Sequence, residues 1–232
     1  VVEIIPCPSP NFDARPEGTR VDILIMHYTG MQSAKAALDR LCDADARVSS
    51  HYTVDEDGTI YRHVAEEYRA FHAGVSYWAG ATDINARSVG IEIVNPGHEF
   101  GYRAFPEPQI EAVIALSKEI LSRHPIPRAR VIGHSDVAPA RKTDPGELFP
   151  WRHLAGEGIG LWPSKTGGAL DTSFAEALKT YGYGIAPEGQ ATEEQTIIAF
   201  QRHFRPTRID GIADAECEGI LAGLLAELDA AA

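Results

Sequence analysis

Five residues carry groups that could do chemistry together: His27, Glu92, His134, Lys142 and Asp144. The densest stretch is Val131 to Trp151, V-I-G-H-S-D-V-A-P-A-R-K-T-D-P-G-E-L-F-P-W. An apolar run, Val131-Ile132, delivers His134 to a strand end, and a loop marked by Pro139 and Pro145 then carries Lys142 and Asp144. Proline lacks an N–H and keeps the residue before it out of the helical region, so no helix is expected through this stretch. In an extended chain residues two apart point the same way, which puts Lys142 and Asp144 on one face turned toward His134. Imidazole and carboxylate are ligands that divalent zinc accepts, and a site with an open position and no thiolate is of the catalytic kind. A lone histidine can equally be a satisfied structural residue, so a third ligand decides between the readings.

His27 supplies it. The run V-D-I-L-I-M over Val21 to Met26 has the length and composition of a buried strand, and His27 sits where that strand surfaces. Strand ends that open onto a crevice are where α/β sheets place functional groups, although a histidine capping a core strand is the alternative. In Ser88 to Asn95, S-V-G-I-E-I-V-N, alternation puts Val89, Ile91 and Ile93 on one face and Gly90, Glu92 and Val94 on the other. A glutamate between isoleucines is either salt-bridged or facing a functional cleft. Gly90, which weakens a strand, leaves room for close approach by a neighbour or ligand.

The elements that must position these groups follow from periodicity. Gln32 to Cys42 and Pro108 to Arg123 read as amphipathic helices, the second stopped before Pro125. Ser50 to His63 reads as a hairpin around Asp57-Gly58, with His51 and His63 as structural or rim residues. Phe71-His72-Ala73-Gly74 with Tyr77-Trp78 is an aromatic loop that lines a cleft or plugs a core. Beyond Trp162-Pro163, S-K-T-G-G over Ser164 to Gly168 reads as a linker. Three helices are expected after it: Phe174 to Tyr181; Glu193 to Phe204, with Thr192 and Gln195 at capping-box spacing; and Asp214 to Leu228.

At 232 residues the chain can bury a real core and divide into two domains. Its formal net charge of -12 argues against a nucleic-acid partner or an anionic membrane surface, both of which need a basic footprint. No run is long and apolar enough to span a bilayer. Cys7, Cys42 and Cys217 are far apart in sequence and read as free thiols, which leans toward a reducing, cytoplasmic location. The N-terminal stretch is not a signal peptide as it stands, and a periplasmic or envelope location is the alternative if an export signal was removed.

The phrases M-H-Y-T-G at His27, R-V-S-S-H-Y at His51, F-H-A-G-V-S at His72, V-G-I-E-I-V-N at Glu92 and G-H-S-D-V-A-P-A-R-K-T-D-P-G together resemble the zinc-dependent N-acetylmuramoyl-L-alanine amidases of the AmpD and AmiD type. The resemblance spans roughly the first two-thirds of the chain, with the motifs in order. It implies an α/β (α+β) fold, a mixed sheet flanked by helices, with zinc on His27, His134 and Asp144 and with Glu92 and Lys142 as the catalytic pair. It further implies substrate contacts from Arg47, His72, Asn85 and Arg87, with Arg47 meeting the stem-peptide carboxylate. One departure is Asp83, where many relatives carry arginine, and Arg87 is the residue that could compensate. The helical part, with F-Q-R-H-F-R-P and I-D-G-I-A-D, resembles peptidoglycan-binding modules appended to cell-wall hydrolases. The expected organisation is therefore a catalytic domain over 1–163 and a separable three-helix domain over 168–232. The implied partner is peptidoglycan or a muropeptide, acted on by a monomer. Two rivals are an iron-oxygenase-like triad of His134-Ser135-Asp136 with a distant histidine, and a non-catalytic muropeptide-binding protein.

Overall fold

The computed structural model describes residues 3–187 and 189–231. Its strands are β1 (Ile4–Pro6), β2 (Phe12–Ala14), β3 (Ile23–Tyr28), β4 (Tyr52–Val54), β5 (Ile60–Arg62), β6 (Tyr68–Ala70), β7 (Ser88–Ile93) and β8 (Val131–Gly133). Its helices are α1 (Ala34–Cys42), α2 (Ile84–Arg87), α3 (Gly97–Phe100), α4 (Glu107–Arg123), α5 (His134–Val137), α6 (Trp151–Gly156), α7 (Phe174–Tyr181), α8 (Glu193–Phe204) and α9 (Ala215–Ala231). Six strands form one mixed sheet in the order β1-β5-β4-β7-β3-β8, and β2 pairs with β6 apart from it. β4, β7, β3 and β8 run parallel, while β4 and β5 make the antiparallel hairpin expected around Gly58.

Alternation along the central strands sorts side chains between two apolar layers. Leu24 and Met26 of β3, with Val89, Ile91 and Ile93 of β7, pack with Ile110, Val113, Leu116 and Ile120 of α4. Ile23 and Ile25 point the other way, joining Ile132 and Trp78 in a cluster that also contains Leu178, Tyr183, Phe200 and Leu221. The helical unit α7–α9 is thus packed onto the second face of the sheet through a shared core. Each large apolar side chain fully buried there contributes roughly 1.5–3 kcal/mol, so contact area and not the linker holds the helical unit in place. The linker itself is docked: Ser164 N–H donates to Glu227 (2.6 Å) and Gly167 N–H to Gly219 O (3.1 Å).

Local chemistry accounts for the helix starts. Thr192 and Gln195 exchange the reciprocal bonds of a capping box, with the Thr192 hydroxyl accepting from Gln195 N–H (3.2 Å) and Gln195 Oε1 from Thr192 N–H (2.9 Å). The stretch after β8 differs from expectation. One helical turn, α5, begins at His134, and Ala138 N–H closes it onto His134 O (3.0 Å) before Pro139. A single turn fits ahead of that proline because the restriction falls on the residues just before it.

A partly buried ion-pair node ties the hairpin to the end of α4. Glu66, with 12% of its side chain exposed, accepts from Tyr52 Oη (2.7 Å), Arg123 Nη2 (2.7 Å) and His124 Nε2 (2.6 Å). Burial resists ionisation of this carboxyl, but the bonds from Arg123, Tyr52 and His124 outweigh it and hold the pKa at about 2 against an ordinary 4.5. An acid depressed on folding stabilises the native state above its ordinary pKa, and that contribution is lost as pH falls through the folded value. Glu66→Gln should therefore lower stability at neutral pH by about 2–3 kcal/mol. Its Tm should also fall less steeply than the wild type's between pH 4.5 and 2, and parallel curves would contradict this assignment.

Candidate metal centre and catalytic cleft

β3 and β7 are in register so that His27 lies directly opposite Glu92. Both are at the C-terminal ends of parallel strands, where β8 also delivers His134. His27, His134 and Asp144 are 1%, 3% and 6% exposed. His27 Nδ1 lies 2.9 Å from His134 Nδ1 and 3.1 Å from Asp144 Oδ2, and His134 Nδ1 lies 3.0 Å from the same oxygen. The three atoms form a nearly equilateral triangle.

Hydrogen bonding on the outer sides of the rings determines what this triangle holds. The Ser88 hydroxyl donates to Ile84 O (2.7 Å), so toward His72 Nε2 (3.2 Å) it accepts, and His72 carries its proton on Nε2. His72 Nδ1 is then an acceptor and takes the Nε2–H of His27 (3.0 Å). On the other side, His134 Nε2 faces Ala73 O (3.1 Å), a carbonyl that can only accept. With its proton on Nε2, each imidazole therefore turns a bare Nδ1 lone pair toward Asp144 Oδ2. Burial, then the nearby His134, hold the His27 pKa down to about 4, which keeps its ring neutral at physiological pH. Three acceptors about 3 Å apart with no proton between them repel one another. A tetrahedral cation bound at about 2.0–2.1 Å separates its ligands by roughly 3.3 Å, so the donor set fits such an ion with little adjustment.

The sequence around each ligand explains why the rings can sit this way. Ser88, Gly90 and Glu92 share the cleft-side face of β7, and a Cβ on Gly90 would lie 2.6 Å from His72 Nδ1. Glycine is required there because the His72 ring rests on the strand. His51 supports the same residue from its other side, its Nδ1 accepting from Gly90 N–H (3.0 Å). Asn85 Oδ1 accepts from His72 N–H (3.1 Å) and Ala73 N–H (2.8 Å), fixing the backbone that orients both imidazoles.

Glu92 and Lys142 line the same cleft, about 530 Å³, together with Tyr28, Phe71, His72 and His134. Glu92 is half-buried, and its Oε2 is buried with no hydrogen-bond partner among the described residues. Burial, then the Asp144 carboxylate, push its pKa well above the ordinary range against the pull of Lys142. An acid so placed is ready to hold a proton taken from a neighbour. Of the other candidates, His72 lines the cleft but commits both ring nitrogens to His27 and Ser88. Arg47 is exposed beside Val48, which lines the cleft. Arg87 does not reach the site. It precedes the first residue of β7, at the far end from Glu92, and its guanidinium is paired with Asp22. It therefore does not compensate for Asp83, which caps α2 and pairs with Arg69 (2.8 Å).

Asp136 was not singled out for the role it has. Its side chain turns away from the triangle and accepts from Gly133 N–H (2.7 Å), Tyr183 Oη (2.7 Å) and His203 Nδ1 (2.7 Å). The turn that carries His134 is thereby anchored to the helical unit, and an iron site on His134-Ser135-Asp136 is not formed. Tyr28 was also missed. Its hydroxyl reaches Thr143 Oγ1 (2.8 Å) and His98 Nδ1 (3.0 Å), steadying the loop between Lys142 and Asp144. Neither residue carries a sequence signal beyond proximity to a motif.

A cation-fitting triangle, an adjacent raised-pKa acid and a lysine on a mixed α/β sheet are the equipment of a metal-assisted hydrolase. The chain belongs to the N-acetylmuramoyl-L-alanine amidase family, which matches residues 17–147. It is 40% identical to the N-acetylmuramoyl-L-alanine amidase AmiD of Escherichia coli, over 89% of this chain and 83% of that protein. It is 30% identical to the 1,6-anhydro-N-acetylmuramyl-L-alanine amidase AmpD of Salmonella typhimurium, over 65% of this chain and 88% of that one. Its fold superposes on E. coli AmiD in complex with the substrate anhydro-N-acetylmuramic acid-L-Ala-D-gamma-Glu-L-Lys, with a TM-score of 0.80, 37% identity and coverage of 91% and 92%. Against AmpDh3 of Pseudomonas aeruginosa in complex with anhydromuramic pentapeptide the TM-score is 0.82, with 34% identity and coverage of 93% and 95%.

If the His72 relay sets the ligand tautomer, disturbing it should weaken metal binding without touching a ligand. Gly90→Ala and Ser88→Ala should each reduce affinity for a divalent ion by roughly 10–100-fold, measured by competition with a chromophoric chelator. Unchanged affinity in both folded variants would remove the relay from the account.

Proposed function

We propose that this chain is a zinc-dependent N-acetylmuramoyl-L-alanine amidase. It hydrolyses the amide between the lactyl group of N-acetylmuramic acid, or its 1,6-anhydro form, and L-alanine in peptidoglycan or muropeptides. The observation that carries this reading is the triangle of bare lone pairs at His27, His134 and Asp144 with Glu92 opposite His27 in the sheet register. The substrates held by E. coli AmiD and P. aeruginosa AmpDh3 support the substrate class. Glu92, His134, Lys142 and Asp144 line one cleft with His27 against them, a set of reactive groups that favours an enzyme over a binding protein.

Zinc, when held by His27, His134 and Asp144, supplies a Lewis acid that polarises the scissile carbonyl and acidifies water. Glu92 accepts the proton that water gives up at its unpartnered Oε2 and passes it to the departing amine of L-alanine. Lys142 has donors, a positive charge and no acceptor, so it steadies the negative charge that develops on the carbonyl oxygen. Phe71 and Tyr28 supply cleft wall around these groups. In this reading residues 1–163 perform the chemistry. Residues 168–232 engage murein as a peptidoglycan-binding-like unit while bracing the His134 turn through Asp136; resemblance and the extent of the AmiD match support that role.

Chelation should abolish activity on a muramoyl-L-alanyl peptide, and about one zinc per chain should restore it. Lys142→Met should lower kcat by roughly 100–1000-fold with little change in KM, the loss expected for one transition-state donor. Glu92→Gln should also cut kcat and should remove the acidic limb of the pH profile, while both variants keep their zinc. Wild-type kcat with an intact acidic limb in Glu92→Gln would make Glu92 a structural acid.

A further inference from the structure

A second cluster of reactive groups lies outside the cleft. Cys7 and Cys42, separated by 35 positions in sequence, bring their Sγ atoms to 3.3 Å, and each is half-buried. His63 is the third member of the cluster. Its Nδ1 donates to Cys7 O (2.7 Å), since a carbonyl can only accept, and its Nε2 then accepts from Thr53 Oγ1 (2.8 Å). Both imidazole nitrogens are committed, which leaves no lone pair for a metal. Two thiolates on one zinc at about 2.3 Å would also stand roughly 3.7 Å apart, farther than these sulfurs do. The Cys42 thiol instead points at Cys7 O (3.4 Å), as in a reduced pair at rest.

The position of this pair has a consequence for the cleft. Cys7 follows β1 and pairs with β5 through its N–H to Arg62 O (2.9 Å), while Cys42 ends α1. Ala37, Arg40 and Leu41 of α1, with Val48 and Ser49 beyond it, form one cleft wall. Hydrogen bonds hold the N-terminal segment to that wall. Ser9 Oγ donates to Leu41 O (2.5 Å), Asn11 Nδ2 to Asp43 O (2.7 Å) and Val48 O (3.0 Å), and Ser49 Oγ to Asn11 O (2.6 Å).

We propose that Cys7 and Cys42 are a modification site, a reversible disulfide that staples the N-terminal segment to the cleft-wall helix when the protein meets a disulfide oxidant. One cysteine thiolate attacks glutathione disulfide, breaking its S–S bond and releasing one glutathione thiol. The partner thiolate then attacks the protein-bound sulfur, forming the Cys7–Cys42 bond and releasing the second glutathione. Two electrons and two protons leave the protein and appear as two glutathione thiols. Cys217, buried on α9 against Gln201 of α8, takes no part and serves as an internal control.

The test is to incubate the whole protein with glutathione disulfide, quench with acid, and alkylate under denaturing conditions before mass analysis. Of three cysteines, one should be alkylated, with no glutathione adduct and with a peptide linking positions 7 and 42. Tm should rise by about 4–10 °C and return on adding dithiothreitol. Cys7→Ser and Cys42→Ser should each retain a glutathione adduct on the remaining cysteine and show no such rise. Three free thiols after oxidation, a lasting glutathione adduct on the wild type, or zinc beyond one per chain that disappears in Cys7→Ser would each overturn the proposal. None of these readouts depends on amidase activity.

Discussion

The structure depends on where one proton sits. The Ile84 carbonyl orients the Ser88 hydroxyl, which accepts from His72, which in turn accepts from His27, and the result is a bare Nδ1 facing Asp144. With His134 held the same way by Ala73 O, the interior contains three acceptors and no donor between them. A buried, unneutralised arrangement of this kind is costly, and it persists because the surrounding structure over-determines it. The same cost makes the site receptive to a divalent ion.

The sheet and the helical unit divide the work of holding that arrangement. The register of β3 against β7 places Glu92 opposite His27, while the alternation of β7 assigns Ser88, Gly90 and Glu92 to hydrogen bonding, space and proton acceptance in turn. The helical unit grips the other side. Tyr183 and His203 reach Asp136 within the turn that starts at His134, and His203 stacks on Trp151 at 3.9 Å. A catalytic part and a helical part that read as two segments along the chain share one core in space, so the geometry of His134 is coupled to both.

Much of this was legible in the residues. Apolar runs ending in His27 and His134 identified strand ends, and the prolines after His134 marked a loop that returns a carboxylate to them. Gly90 signalled close approach, and its neighbour proves to be the His72 ring. The extents of α7 and α8 were readable because their apolar spacing and capping residues are local. What could not be read depends on contacts distant in sequence. Asn85 was carried over as a substrate contact, yet its side chain fixes the backbone at His72 and Ala73. Arg87 was carried over for its charge, and only the direction of β7 shows that it lies at the wrong end. The cysteines 35 positions apart gave no spacing signal, because the N-terminal segment crosses to α1 only in the folded chain. The thiol count that leaned toward a reducing compartment therefore has a second meaning in the folded protein.

The most direct measurement of the central claim is the ring nitrogen shifts of His27 in the metal-free protein, read by long-range nitrogen–proton correlation at neutral pH. The account predicts a neutral ring with its proton on Nε2, Nδ1 resonating as an unprotonated acceptor, and the same for His134. In Ser88→Ala the His27 pattern should broaden toward a mixture of tautomers while that of His134 stays as it was. An imidazolium at His27, or a proton fixed on its Nδ1, would contradict the account, because the triangle would then hold a hydrogen bond where a cation is required.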